Sequence, residues 1–178
     1  MKEHDTRMPL YVREAERLGH NGIGCEHLFL GVRANQDGLT AQVLARHGVT
    51  LDIVRAKTEE IVGDGWQDSV RWSFSPRATV VCRLAEIEGE RLGQLETSDA
   101  HTLLALITEG CGVPINILLG LGVEVSELRE DLINSLQVPD TERELYLRQR
   151  KAYEAQDLRA GWWNTPGKLP DIPSHLSG

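Results

Sequence analysis

The sequence EAERLGHNGIGCEHLFLGVRANQDGLTAQVLARHGVTLDIVR at residues 14–55 lines up without a gap on EGERLGQLETSDAHTLLALITEGCGVPINILLGLGVEVSELR at residues 88–129. At this offset of 74 residues, 13 of the 46 positions from 10 to 55 carry the same amino acid in both copies. About three identities would arise by chance from ordinary composition. The chain therefore contains a duplicated unit. A scaffold with two related surfaces is more typical of a binding module than of an enzyme with one catalytic centre.

Apolar residues in both copies recur at helical spacing. In the first copy this spacing predicts helices over residues 10–18, 25–34, 39–47 and 51–62. One face of the fourth helix should carry Leu51, Val54, Thr58, Ile61 and Val62. In the second copy, Ser75 as N-cap and Pro76 at the first helical position begin a helix that runs to residue 92. The remaining helices begin at Ser98 or Asp99, near Pro114, and near Val125.

A four-helix copy alone is too short to bury its apolar faces. We therefore expect an all-α domain in which two tandem four-helix repeats pack around a pseudo-two-fold axis. The predicted boundaries are repeat one at 1–63, a linker at 64–73 and repeat two at 74–138. A C-terminal region follows at 139–178, with a helix over 141–161 and then an extended tail that contains several prolines, Trp162 and Trp163.

Composition excludes several classes of protein. The formal net charge is −8, which disfavours binding to nucleic acid or to an anionic membrane. No stretch reaches the apolar length of a membrane span, and the N-terminus is too polar for a signal peptide. The three cysteines, Cys25, Cys82 and Cys111, are widely spaced. They predict small core residues in a reduced, cytoplasmic protein rather than a disulfide framework.

The sequence also predicts neither a metal site, nor a cofactor, nor a catalytic centre. Cys25 and His27 are two residues apart on a helix and point in different directions. No C-x-x-C or H-x-x-x-H pair suits zinc, and no Ser-His-Asp or Cys-His arrangement stands out. His27 and His101 occupy equivalent positions in the two copies. We expect both to be buried histidines that hydrogen-bond to the backbone.

Three motifs carry a family resemblance. They are GHNGIGCEHLFLGV at residues 19–32, DGLTAQVLARHGV at 37–49 and FSPRATVV at 74–81. The first is similar to GHNxIGTEHILLGL, and the third to the FTPRA start of a second repeat. Over roughly residues 1–137 the chain resembles the N-terminal domain of Clp-type AAA+ unfoldases, closest to the ClpC branch. The resemblance implies an eight-helix fold of two tandem repeats. The 178 residues contain no G-x-x-x-x-G-K-[ST] phosphate loop, and the tail is unlike an unfoldase middle region, so we expect a free-standing relative rather than a fragment.

The ClpC resemblance implies docking of adaptors and of substrates tagged with phosphoarginine, with one pocket in each repeat. Glu26 matches the carboxylate that holds the guanidinium in the first repeat, but the hydroxyl residue of that pocket falls at Met1. Ser75 can replace the threonine of the second pocket, whose carboxylate position is Ala100. Each pocket therefore keeps one half. For Glu26 the alternative role is a first-turn carboxylate that complements the helix dipole.

The same resemblance implies an apolar surface that binds cyclic-peptide antibiotics. Phe74 matches the phenylalanine of that surface, and the first helix contributes the region of Val12 and Arg13. The alternative for Phe74 is plain packing at a helix start. These residues lead to a first hypothesis, a non-catalytic module that binds peptides, substrates or adaptors of the Clp protease system and acts as a decoy for ligands or antibiotics. In the second hypothesis the protein is an adaptor that makes contact through its C-terminal helix, Trp162 and Trp163, and the alternative for these tryptophans is docking on their own domain.

Overall fold

The computed structural model describes residues 8–63, 73–94, 96–110 and 112–136. Within these ranges the protein forms eight α-helices: α1 (Leu10–Arg17), α2 (Cys25–Ala34), α3 (Leu39–Arg46), α4 (Leu51–Val62), α5 (Pro76–Arg91), α6 (Asp99–Glu109), α7 (Gly112–Gly120) and α8 (Val125–Ser135). The predicted all-α class and the four-plus-four helix order are confirmed. The predicted C-terminal helix, Trp162, Trp163 and Met1 lie outside the described residues.

Local sequence signals set the helix ends. The Ser75 hydroxyl accepts a hydrogen bond from the Ala78 amide at 3.2 Å, and Pro76 occupies the first turn of α5, where it needs no amide hydrogen. Gly19 and Gly93 follow the first helix of each repeat with φ of 72° and 67°, the left-handed conformation that glycine adopts without strain. Equivalent stop signals in the two copies therefore produce equivalent helix ends.

The helix contacts show the predicted pseudo-symmetry. Helices α2 and α6 are counterparts and pack against each other. The contact of α2 with α7 is matched by that of α3 with α6, and the contact of α3 with α8 by that of α4 with α7. If each helix of repeat one is exchanged with its counterpart in repeat two, so that α2 becomes α6, α3 becomes α7 and α4 becomes α8, this set of inter-repeat contacts is unchanged. An isologous interface requires this symmetry.

The core lies along α2 and α6. Their fully buried side chains include Phe29, Leu30, Leu103 and Leu104. On α4, Leu51, Val54 and Thr58 are buried, but Ile61 is 47% exposed. Ile61 fits the predicted helical spacing, but spacing alone does not indicate where the neighbouring helices end, so it does not decide burial. Within the described residues, no single helix has the length and apolarity of a membrane span, although α6 and α7 together, bent by 88°, do by length and composition only.

Each repeat contains an equivalent ion cluster around a buried carboxylate. Arg55 donates to Glu14 in repeat one, and Arg129 donates to Glu88 in repeat two, both at 3.0 Å. A second arginine approaches each carboxylate, Arg17 at 3.0 Å in repeat one and Arg91 at 3.8 Å in repeat two. Burial alone would raise the pKa of Glu14, but hydrogen bonds from Arg55 and Arg17 outweigh it and hold that pKa below its ordinary value.

The two equivalent histidines close the N-termini of α2 and α6. The Gly24 amide donates to His27 Nδ1, and the Ser98 amide donates to His101 Nδ1, each at 2.9 Å. Both rings are buried, so the prediction of backbone-bonded histidines is confirmed. Because Nδ1 accepts, the proton of His27 sits on Nε2, which lies 2.9 Å from His20 Nδ1. Burial lowers the pKa of His27 to about 4, and the His20 ring acts in the same direction.

Candidate functional site

The start of repeat two is joined to repeat one by a short parallel backbone bridge. The Ile23 amide donates to the Ser73 carbonyl, and the Ser75 amide donates to the Ile23 carbonyl, both at 2.8 Å. The bridge places Phe74 beside the segment that leads into α2. It therefore brings two of the predicted site regions together, the start of α5 with Phe74 and Ser75 and the start of α2 with Glu26.

An aromatic pair extends this junction to α1. The Tyr11 and Phe74 rings have centroids 5.7 Å apart and are tilted by 56°, a favourable geometry for an aromatic pair. Phe74 nevertheless remains 41% exposed, so it offers an apolar surface as well as packing. Val12 is half-buried and packs against the core, and Arg13 is half-buried on the same helix.

A glycine allows α1 to approach α2 at this point. A Cβ at Gly31 would lie 2.7 Å from the Tyr11 amide nitrogen and 2.8 Å from the Tyr11 Cβ, closer than real side chains come. Gly31 therefore sets how deeply Tyr11 sits against α2, and through Tyr11 it positions Phe74.

Glu26 lies in the first turn of α2, and its side chain is 20% exposed. Its carboxylate folds back over Gly24 and lies 3.4 Å from His27 Nδ1. That contact is no ion pair, because His27 is neutral and its Nδ1 already accepts from Gly24. Among the described residues no Lys or Arg pairs with Glu26, whereas Glu14, Glu88 and Glu109 each have an arginine. The carboxylate can therefore accept a cationic ligand while the α2 dipole stabilises its charge.

The equivalent place in repeat two has a different chemistry. Ala100 is buried and supplies no carboxylate. The neighbouring Asp99 carboxylate accepts a hydrogen bond from the side-chain Nδ2 of Asn35 at 2.7 Å, which joins α6 to the end of α2. Ser75 is the N-cap of α5, so its hydroxyl is held at the helix start. The second pocket therefore has the hydroxyl of Ser75 but no carboxylate at position 100. The first pocket has the carboxylate of Glu26, and its hydroxyl position, Met1, lies outside the described residues.

Arg77 and two cysteines, Cys25 and Cys82, also belong to helices α2 and α5 at this junction. Arg77 donates to the buried carboxylate of Glu109 at 2.8 Å. Burial raises the pKa of the Cys25 thiol to about 12, and the Glu109 charge adds to the rise. Burial also raises the pKa of the half-buried Cys82. Both thiols are protonated at neutral pH and are poor nucleophiles. Cys25 is buried as predicted, and Cys111 lies outside the described residues. Within the described residues, no group of three His, Cys, Asp or Glu side chains could hold a metal ion.

Tyr11 and Ile23 contribute to the junction but were not among the predicted site residues. No local pattern links Ile23 to Phe74, since a backbone bridge across 51 residues leaves no trace in either segment. Tyr11 had a weak signal, because it is adjacent to the predicted Val12 and aromatic residues make up only 5% of the chain.

Comparison with known sequences assigns the chain to a family. The family described as "Clp repeat (R) N-terminal domain" matches residues 12–118. The chain belongs to the Clp repeat N-terminal domain family. This Clp repeat domain is 35% identical over 129 residues to the chaperone protein ClpB of Oceanobacillus iheyensis, and 34% identical over 134 residues to the negative regulator of genetic competence ClpC/MecB of Bacillus subtilis. Those matches cover 72% and 75% of this chain but only 16% of each relative.

Solved structures show the same fold. The N-terminal domain of Hsp104 from Candida albicans aligns with a TM-score of 0.60 at 13% identity, over 73% of this chain and 86% of that domain. The N-terminal domain of the caseinolytic protease associated chaperone ClpD from Arabidopsis thaliana aligns with a TM-score of 0.56 at 22% identity, over 72% of this chain and 90% of that domain.

A further sequence relative is the chloroplastic chaperone protein ClpC from Pisum sativum, which is 37% identical over 121 residues. That match covers 67% of this chain and 13% of that relative.

Proposed function

We propose that this Clp repeat domain is a non-catalytic docking module for polypeptide segments, with substrates or adaptors of a Clp chaperone as its partners. The observation that carries the proposal is the junction at Ile23–Phe74, where an exposed phenylalanine is held by a backbone bridge and by Tyr11. A rigid aromatic side chain loses little conformational entropy on binding, so it suits an interface anchor. The raised pKa of Cys25 and of Cys82 agrees with a site that performs no thiol chemistry.

Glu26 supplies the polar half of the proposed site. Its carboxylate has no Lys or Arg partner among the described residues and lies at the start of α2, next to the segment that carries Ile23. A lysine or arginine of the bound segment would pair with it, most strongly in the bidentate geometry of a guanidinium. Because Glu26 is partly exposed, salt should weaken this part of the affinity.

The test is a titration of the full chain with fluorescein-labelled casein, a polypeptide without a stable fold, followed by fluorescence anisotropy. We expect Phe74→Ala to weaken binding about tenfold, the loss of one interface anchor. Leu119→Ala is the matched control, since Leu119 is 60% exposed and lies on α7, which contributes none of the junction residues. We expect that control to bind like the parent protein.

Glu26→Gln should weaken binding by roughly threefold, and the difference should vanish at high salt. Glu127→Gln removes the same charge from the first turn of α8 and is the control for net charge. If casein binds equally to all four variants, or does not bind to the folded parent protein, the proposed function is wrong.

Two specific ligands, phosphoarginine and a cyclic peptide, can be judged from the same residues. With Ala100 in place of the second carboxylate and Asp99 bonded to Asn35, we expect free phosphoarginine to bind no better than arginine. We propose that a Clp-targeting cyclic peptide binds over Phe74, Val12 and Arg13, so that the domain can act as a decoy for such antibiotics. Isothermal calorimetry with each ligand tests both statements, and absence of cyclic-peptide binding would remove the decoy role.

The second hypothesis, an adaptor that makes contact through Trp162 and Trp163, concerns residues outside those the structure describes and stays a prediction. Deleting residues 141–178 separates it from the junction proposal. Casein affinity that survives the deletion would place the contact on the repeats.

A further inference from the structure

The backbone at Phe74 offers an edge to which a peptide strand can be added. In the parallel bridge, Ile23 uses both its amide and its carbonyl, and its partners are the Ser73 carbonyl and the Ser75 amide. Because successive residues of an extended strand point their backbone groups to opposite sides, the amide and the carbonyl of Phe74 point away from Ile23. In the described part of the chain neither group has a hydrogen-bond partner.

The Phe74 side chain marks the same place. It is 41% exposed, and Tyr11 holds one side of its ring. This exposed residue therefore carries an apolar ring together with a backbone donor and acceptor that have no partner in the described part of the chain. Side chains of an added strand alternate between the two faces, so an apolar side chain of the ligand can pack against the Tyr11–Phe74 pair.

Pro76 limits this edge on one side. The next backbone amide pointing in the same direction as that of Phe74 would belong to residue 76, and proline has no amide hydrogen. Beyond it α5 begins. On this side an added strand can therefore form the two hydrogen bonds of Phe74 and no more. Such a contact is short, and the side chains must supply most of its affinity.

We propose that the domain binds an extended polypeptide segment by strand addition at Phe74, with two main-chain hydrogen bonds and an apolar side chain against Tyr11 and Phe74. A basic residue in the segment fits the carboxylate of Glu26, which has no Lys or Arg partner among the described residues. The inference rests on the proposed docking function and adds its ligand class: extended segments that combine apolar residues with a basic residue, positioned by two backbone hydrogen bonds and bound mainly through their side chains.

The test uses the full chain and the peptide Ac-Lys-Val-Phe-Val-Lys-NH2. Amide hydrogen exchange is measured by NMR with and without the peptide. The Ile23 and Ser75 amides are hydrogen-bonded in the free protein and should be protected in both states. The Phe74 amide should exchange freely without the peptide and at least tenfold more slowly with it.

Two methylated peptides give a matched comparison. One is N-methylated at its phenylalanine and the other at both valines, and only one of these alternating sets can face the edge. We expect one of them to bind about tenfold more weakly than the other, the effect of one lost hydrogen bond.

Three outcomes contradict strand addition. Equal affinities of the two methylated peptides, with the Phe74 amide unprotected in the complex, would leave docking through side chains alone, and the casein result would still support the proposed function. A Phe74 amide already protected in the free protein would mean that another segment of this chain covers the edge. Failure of both casein and the peptide to bind would overturn the inference together with the proposed function.

Discussion

His27 and His101, the equivalent buried histidines of the two repeats, make the free energy of unfolding depend on pH. Burial lowers the pKa of both, that of His27 from an ordinary 6.5 to about 4. Below pH 6.5 the unfolded chain takes up a proton at this imidazole, while the folded chain does not until about pH 4. Folded His27 thus binds fewer protons in this window, so the free energy of unfolding must fall as the pH falls.

We predict that lowering the pH from 7 to 5 reduces the free energy of unfolding by about 2 kcal/mol through His27 alone. His101 acts in the same direction. Glu14 contributes only at lower pH, because its pKa lies below the ordinary 4.5. Urea unfolding at pH 7, 6 and 5 measures the slope. In His27→Asn, which keeps an acceptor for the Gly24 amide, the slope should be shallower. An unchanged slope would contradict the assignment.

The two ion clusters give a prediction with an internal control. Glu88 is 1% exposed and its partner Arg129 is 9% exposed, whereas Arg55 and Arg17 beside Glu14 are about one-third exposed. Glu88→Gln removes a buried carboxylate charge beside the buried Arg129 and should cost about 3 kcal/mol. Glu14→Gln should cost only about 1 kcal/mol, because water screens its arginines. Thermal or urea unfolding compares them, and equal losses would show that burial does not decide the effect.

At the scale of elements, the contact of α1 with α2 depends on Gly31. Gly31→Ala should cost about 1–3 kcal/mol through overpacking against Tyr11, and by moving Tyr11 it should also weaken ligand binding at Phe74. Gly120→Ala is the control, since a Cβ there would meet nothing within 4 Å. In a helix that change should be neutral or stabilise by up to about 1 kcal/mol. Both variants are measured by urea unfolding and casein titration, and a stable Gly31→Ala protein with full affinity would contradict the close approach.

Helix bounds could be predicted from the sequence, whereas burial and contacts between distant segments could not. Helices α2 and α4 begin and end where apolar spacing predicts, because that signal is local. Ile61 fits the spacing yet is exposed, since burial depends on which helix lies opposite. The Ile23–Phe74 bridge joins distant segments and had no local signal. The ion clusters did have one: Glu and Arg recur 41 residues apart in both copies, at 14 and 55 and at 88 and 129.

At the scale of the whole molecule, the duplication is symmetric in its packing and asymmetric at the site. The inter-repeat contacts map onto themselves, but α2 also packs against α5, and the counterpart contact of α6 with α1 is not among the main helix contacts of the described residues. Glu26 has Ala100 as its counterpart, and Tyr11 has the buried Ala85. The two copies therefore share a scaffold and differ in surface chemistry. We predict one ligand per chain, although the fold repeats twice.

An NMR titration of the isotope-labelled full chain with the Ac-Lys-Val-Phe-Val-Lys-NH2 peptide, recording stoichiometry and backbone shifts together, tests docking at Phe74 most sharply. Docking there should saturate at one peptide per chain, with the largest shifts at Tyr11, Ile23, Glu26 and Phe74. Saturation at two peptides, or largest shifts on α3 and α8 with Phe74 unaffected, would contradict it.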